Sequence, residues 1–226
     1  MRAVRLEVAA TAAASALVLR PWRDDDIGPL TEAYRDPAMR QWLRSQVAST
    51  ADAARWLEVR HRGWESGDYL SFAVQEACAG GALLGNVALK RSAATRQSAE
   101  VGYWTTTSAR GRGVASRALE ALTVWAFTAF EADGLVRLDL LHQVGNTASC
   151  KVAERTGYDF DRIVPARPPW PTDGHLHVRR AAGHSSPDKQ PHGSMPAPRR
   201  TETGDVRLSG HLAEGHGSRA GSEASK

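Results

Sequence analysis

The residues best placed to do chemistry lie in the run Arg110-Gly111-Arg112-Gly113-Val114-Ala115. Glycine alternating with arginine, just ahead of a helical pattern, suits an anion. The first-turn N–H groups of a helix lack intrahelical acceptors, the helix dipole favours negative charge there, and glycine lets the backbone approach a phosphate closely. Arg110 and Arg112 add fixed positive charge able to pair with phosphate oxygens. Farther along, His142 carries an imidazole, which titrates near neutrality and is a fit general base. Asn146 reads as a helix cap, and Ser149 as a hydroxyl that either serves the start of that helix or meets a ligand. Cys150 has no paired base beside it and reads as packing. The arginine-glycine run also has a rival reading. Gly111-x-Gly113 followed by Ser116, with Asp139 downstream, is most of a dinucleotide fingerprint, although the third glycine is missing.

These groups need elements to hold them. Ahead of the loop, Ser98 to Thr105 alternates with the period of a strand: Val101, Tyr103 and Thr105 on one face, Glu100, Gly102 and Trp104 on the other. Behind it, Ala118, Leu122, Trp125, Ala126 and Ala129 recur at helical spacing, and Asp133-Gly134 ends the helix. Upstream, Leu17 to Arg20 is a short strand stopped by Pro21, and Asp24 to Asp26 open a helix through Ile27, Leu30 and Tyr34. Arg35-Asp36-Pro37 breaks that helix, and Thr50 or Asp52 caps the next one, which Gly67 ends. Tyr69 to Glu76 and Leu83 to Lys90 read as a hairpin leading into the Ser98 strand, so the strands before the loop form an antiparallel meander. Val136 to Leu141 is then a strand parallel to the one before the loop, because crossover connections are right-handed. Asn146 starts a helix closed by Gly157, and Tyr158 to Ile163 with His175 to Arg180 make a last pair of strands.

Composition bounds the rest. A chain of 226 residues with 42% hydrophobic content and seven tryptophans has material for one domain and its core. A net charge of +4, with no polybasic run, does not indicate nucleic acid. Two cysteines, Cys78 and Cys150, without a CxxC or the Cys/His spacing of a zinc site, suit a reducing cytoplasm and point to no metal. No apolar run approaches the roughly 20 residues that span a bilayer. Residues 1–16 read as a disordered leader whose Ala-rich stretch imitates a signal peptide, interrupted by Glu7. Residues 183–226 contain no Phe, Trp or Tyr and read as a disordered tail. That leaves residues 17–182 as the folded domain.

Four blocks stand in a familiar order. They are Leu19-Arg20-Pro21-Trp22 with Asp24 to Asp26; Glu100-Val101-Gly102-Tyr103-Trp104; Arg110 to Ala115; and Asn146-x-x-Ser149-x-x-Val152 ending Gly157-Tyr158. Together they resemble the GNAT superfamily of N-acetyltransferases, in its RimJ/RimL-like branch. The chain departs from the family at Arg117, where many members carry an acidic residue, and in a short Pro-rich C-terminal region. The resemblance implies an α/β fold with a mixed, mostly antiparallel sheet, one splayed parallel strand pair and flanking helices. It implies an acyltransferase that uses acetyl-CoA as co-substrate and a primary amine, a protein N-terminus or a small molecule, as acceptor. The cofactor would lie against Trp104, Thr105, Arg110, Gly111, Arg112, Gly113, Val114, Ala115 and Asn146. Glu100 would act as base through water, with His142 as the other candidate, and Ser149 would serve the departing thiolate. The alternative for Glu100 is a salt bridge on the sheet. Trp22, Trp42 and Trp64 either wall the acceptor site or pack the core.

Two other functions stay open on these residues: a catalytically silent acyl-CoA-binding module, and a dinucleotide oxidoreductase. The expected assembly is a monomer or homodimer.

Overall fold

The computed structural model describes residues 4–184, apart from 44, 79, 93, 169 and 170. The tail expected over residues 183–226 lies outside these residues except at its first two positions. All of the described residues belong to a compact unit running to Ser186.

Among the described residues eight strands form a single sheet in the order β1-β2-β3-β4-β5-β6-β8-β7. They are β1 (Leu6–Val8), β2 (Leu17–Pro21), β3 (Tyr69–Glu76), β4 (Leu83–Ser92), β5 (Thr95–Thr105), β6 (Arg137–Gln143), β7 (Asp159–Val164) and β8 (Gly174–Arg180). Every neighbouring pair is antiparallel except β5 with β6. The hairpin, the meander and the parallel crossover therefore stand where the period-two pattern put them. Among the described residues five α-helices flank the sheet: α1 (Ile27–Ala33), α2 (Pro37–Trp42), α3 (Thr50–Ser66), α4 (Val114–Ala129) and α5 (Thr147–Arg155).

Two cores stabilise the two faces. On one, Ala118, Leu119, Leu122 and Ala126 of α4 are buried against Leu70, Phe72, Val87, Leu89 and Val101 of the sheet. On the other, Trp22, Trp56, Trp104 and Tyr34 form an aromatic cluster with Leu30, Met39 and Leu57. Trp22 and Trp56 meet edge to face at 4.9 Å, an arrangement that suits the ring quadrupoles. The Arg-Pro-Trp-x-Asp-Asp-Asp block acquires a physical reason here. Arg20 donates both terminal nitrogens to the Asp26 carboxylate at 2.8 Å in a buried bidentate pair. Trp22 donates to Asn86 at 2.9 Å. Trp22 is core, and Trp64 packs on Phe72 while donating to the Ser71 carbonyl, so neither walls an acceptor site.

Of the disordered leader expected over residues 1–16, positions 1–3 lie outside the described residues, and the remainder is a correction. Leu6–Val8 pairs with Leu17–Leu19 as an edge strand, and Val4, Leu6 and Val8 pack on the core. Arg117, the departure from the family pattern, explains how the segment is held. Its guanidinium donates to the carbonyls of Ser15 and Ala9 at 2.8 and 2.7 Å. Smaller differences follow from capping. Ser49 caps α3 rather than Thr50 or Asp52, accepting the Asp52 N–H at 3.1 Å. Pro37 opens α2 at its first turn, where its missing N–H costs nothing, and Asp36 caps it. No helix among the described residues is long and apolar enough to cross a membrane.

Candidate active site

The site begins where two strands part. β5 and β6 pair from Ser98↔Arg137 to Val101↔Leu140 and no farther, although β5 runs on to Thr105 and β6 to Gln143. β4 holds β5 through Thr105 and β8 holds β6 through Gln143, so both strands remain strands while the gap between them opens. The backbone of Gly102 to Thr105 is thus left without a ladder partner on its β6 side.

Two cavities meet at this gap. The first, about 490 Å³, is bounded by Trp104, Thr105, Arg110, Gly111, Gly113, Val114, Ala115 and the start of α5. Gly113 is the N-cap of α4 at φ 71° and Gly111 lies at φ 74°, left-handed values that glycine adopts without a Cβ penalty. No side chain caps α4, and Val114, Ala115 and Ser116 of its first turn line this cavity. The second cavity, about 750 Å³, is bounded by Tyr34, Trp42, Tyr69, Asn86, Lys90, Glu100 and Gly102. Trp42, Tyr103, Trp104, Asn146 and Ser149 border both. Trp42 is the one of the three proposed wall tryptophans that lies at the site.

At the junction the Tyr103 hydroxyl donates to Ser149 Oγ at 3.0 Å. Burial pushes the Tyr103 phenol up to about 12, the hydrogen bond to Ser149 notwithstanding, so it is protonated at neutral pH. Ser149 is buried at the first turn of α5, where Asn146 Oδ1 accepts its N–H at 3.2 Å. Asn146 therefore caps the helix as its sequence context demands, and in doing so fixes the hydroxyl next to the gap. Tyr103 is the residue that sequence reasoning passed over. Its signal was its place on the strand, on the same face as Val101 and two residues beyond it.

The predicted residues fare differently. Glu100 lies on the floor of the larger cavity, its side chain 48% exposed, ion-paired to Lys90 at 2.6 Å across the β4–β5 ladder. The salt bridge on the sheet is therefore present, and the carboxylate also borders the cavity. The arginines of the loop are not free charges: Arg110 pairs with Asp36, and Arg112 with Glu76 at 2.5 Å. Asp36 also accepts from Thr107 at 2.9 Å. Partial burial works against its ionised form, but the Ala38 N–H, the Thr107 hydroxyl and Arg110 hold its carboxyl below the ordinary carboxylate value. Asp139, the ribose-binding acid of the dinucleotide reading, is taken by Arg137 at 2.6 Å, and the antiparallel meander does not belong to a doubly wound sheet.

His142 borders the larger cavity, and both ring nitrogens have partners. Nδ1 lies 2.9 Å from the Gln143 carbonyl, and Nε2 lies 3.6 Å from Cys150 Sγ. Burial lowers its pKa despite that carbonyl, and His177 and His175 lower it further. The fold corrects the reading of Cys150 and brings histidines from two strands around it. Cys150 is not simple packing, since His175 Nδ1 also lies 3.3 Å from its sulfur. And although the Cys/His spacing is unlike a zinc site, His142, Cys150, His175 and His177 each bring one ligand atom within 4.8 Å of the others.

Comparison with known proteins follows the same lines. Residues 16–159 match the family model described as an acetyltransferase (GNAT) domain. No sequence among curated proteins matches. Among solved structures, Mycobacterium smegmatis RimJ in complex with CoA-disulfide superposes with a TM-score of 0.65 at 21% identity, covering 79% of this chain and 87% of that one. A Salmonella typhimurium acetyltransferase that modifies the N-terminal serine of a 50S ribosomal subunit protein gives 0.63 at 18%, covering 77% and 99%. A GNAT-family acetyltransferase from Bacillus anthracis gives 0.64 at 17%, covering 77% and 98%.

Proposed function

This chain belongs to the acetyltransferase (GNAT) domain family and is an acyltransferase by that membership, and on that premise we propose that it moves the acetyl group of acetyl-CoA directly to a primary amine. The observation that carries the reading is the Tyr103–Ser149 hydrogen bond at the one place where the two cavities share walls. Acetyl-CoA enters from the smaller cavity, its pyrophosphate on the N–H groups from Gly111 to Ala115. Its pantetheine arm runs along the unpaired edge of β5 past Trp104 and Thr105, which brings the thioester to Ser149. The acceptor enters from the larger cavity.

The chemistry balances as follows. An ammonium acceptor first gives one proton to Glu100 through water, and the neutral amine attacks the thioester carbon to form a tetrahedral oxyanion. Collapse breaks the C–S bond, the amide nitrogen sheds its second proton, and that proton ends on the departing sulfur. Ser149 serves this step with a hydrogen bond. Because its oxygen accepts from Tyr103, its own hydrogen is free to point at the developing thiolate. Lys90 holds Glu100 in an ion pair at 2.6 Å on the floor of the cavity through which the acceptor enters.

The first acceptor to try is a peptide N-terminus, the acceptor named for the Salmonella protein. A panel of N-terminal peptides and small amines with acetyl-CoA, read by CoA thiol release and by the mass of the product, tests the proposal. An N-acetylated product whose formation falls in Ser149→Ala supports it. Acetyl-CoA binding without any thiol release across the panel would instead favour the silent acyl-CoA-binding module.

A further inference from the structure

We propose that His142, Cys150, His175 and His177 bind a zinc ion, which pins the first turn of α5 to the sheet beside the active site. The four residues come from three elements. His175 and His177 are two apart on β8 and so share one face of the sheet. His142 on β6 is the direct register partner of His175. Cys150, in the first turn of α5, stands over that face with its sulfur 3.6 Å from His142 Nε2 and 3.3 Å from His175 Nδ1. A tetrahedral zinc with bonds of about 2.3 Å to sulfur and about 2.0–2.1 Å to nitrogen sets sulfur–nitrogen edges of about 3.6 Å. Those two edges are thus already close to the required length.

Tautomers point the same way. His142 Nδ1 lies 2.9 Å from the Gln143 carbonyl and His177 Nδ1 lies 3.3 Å from the Tyr158 carbonyl. A carbonyl only accepts, so each Nδ1 carries the proton and each Nε2 keeps its lone pair. Backbone carbonyls orient metal-binding histidines in this manner. His177 is 3% exposed, and its Nε2 is buried with no hydrogen-bond partner among the described residues, an unsatisfied state that a metal bond would resolve. Phe160 packs edge-on against both His175 and His177 and walls the cluster with apolar surface. Three imidazoles and one thiolate are a donor set of the borderline-soft kind that zinc prefers, and four protein ligands leave no open position. Binding takes up one zinc ion and releases the Cys150 thiol proton to solvent.

The position gives the ion a role. Ser149 is the chain neighbour of Cys150, so anchoring the sulfur restrains the hydroxyl that Tyr103 holds. Zinc binding itself stands apart from the acetyl-transfer reading, and its test needs no activity. The full chain, stripped by chelator and dialysed, is titrated with zinc and separately with cobalt, with bound metal measured by elemental analysis. The expected result is one zinc per chain, a rise in Tm on addition, and a cobalt form with tetrahedral visible bands and a sulfur-to-cobalt charge-transfer band. Cys150→Ser should abolish the charge-transfer band and weaken zinc by more than the roughly 10–100-fold that loss of an outer-shell partner costs. His175→Ala should weaken it comparably, and His184→Ala, outside the cluster, should leave both unchanged. Zinc binding that is insensitive to Cys150→Ser and His175→Ala overturns the site. So does a chain that binds no zinc, or one that takes copper or iron and rejects zinc.

Discussion

Two side chains carry most of the chemistry proposed, and both are placed by local rules. Ser149 sits where an Asn cap puts it, and Tyr103 sits where strand alternation puts it. Ser149→Ala removes a hydrogen bond formed chiefly to the departing sulfur. It should lower kcat on the order of tenfold to a thousandfold, with the acetyl-CoA affinity changed far less. Tyr103→Phe leaves Ser149 free to rotate and should also lower kcat; steady-state thiol release with calorimetric CoA binding separates the two effects. Glu100→Gln keeps the shape and loses the proton acceptor, so kcat should fall while CoA binding holds. An unchanged kcat there would return Glu100 to its other role, the ion pair that ties β4 to β5. The phenol of Tyr103 also sets a pH dependence of stability. Unfolded, it releases its proton near 10.0; folded, burial holds the proton until about 12. Between those values the unfolded chain binds fewer protons than the folded one, so stability should fall as pH rises through that window. Urea unfolding from pH 9 to 12, in the native chain and in Tyr103→Phe, checks the sign: the variant should lose less over that range.

Among the elements, the loop before α4 and the edge strand β1 are the two whose removal says most. Gly113 combines a left-handed backbone with the N-cap of α4. Gly113→Glu adds bulk and negative charge where a pyrophosphate would sit, so acetyl-CoA should no longer raise the Tm of that variant. A shift equal to that of the native chain would remove the loop from the site. β1 is short, yet Val4, Leu6 and Val8 each cover part of the core and Arg117 bonds two carbonyls of the segment. Removing residues 1–9 should therefore destabilise the fold by about 1–3 kcal/mol, the scale of burying one or two aliphatic side chains, as measured by denaturant midpoint. A leader without structure would cost nothing. The element was missed in the sequence because its three strand residues, Leu6, Glu7 and Val8, lie in an alanine-rich stretch too short to establish a period. Its pairing partner, β2, was evident only from its own hydrophobic run.

At the scale of the whole molecule, every buried core residue among the described residues falls between Leu17 and Val178, and the sequence of residues 187–226 contains no Phe, Trp or Tyr. A chain ending at Ser186 should accordingly unfold with the same midpoint and show the same acetyl-CoA-induced shift as the full chain; loss of cooperative unfolding would show that residues 187–226 contribute to the core. Most strand and helix segments, though not β1, together with the glycine turn before α4 and the cap at Asn146, were legible in the sequence, because each rests on neighbours a few residues apart: a period of two, a period of 3.6, a glycine at a turn, an Asx before a helix. What only the tertiary structure decided depends on contacts between distant residues. Asp36 and Glu76 reach the loop arginines from other parts of the chain, so the charge that the loop offers was not legible in the loop. The Tyr103–Ser149 contact spans 46 positions and exists because β5 and β6 part just beyond Val101 and α5 covers the gap. The imidazoles of His142, His175 and His177 and the Cys150 thiol show no metal spacing in sequence. They converge because β6 pairs with β8 in a register that sets His142 opposite His175 while α5 packs across that face, and register and packing are properties of the folded sheet, not of any local segment.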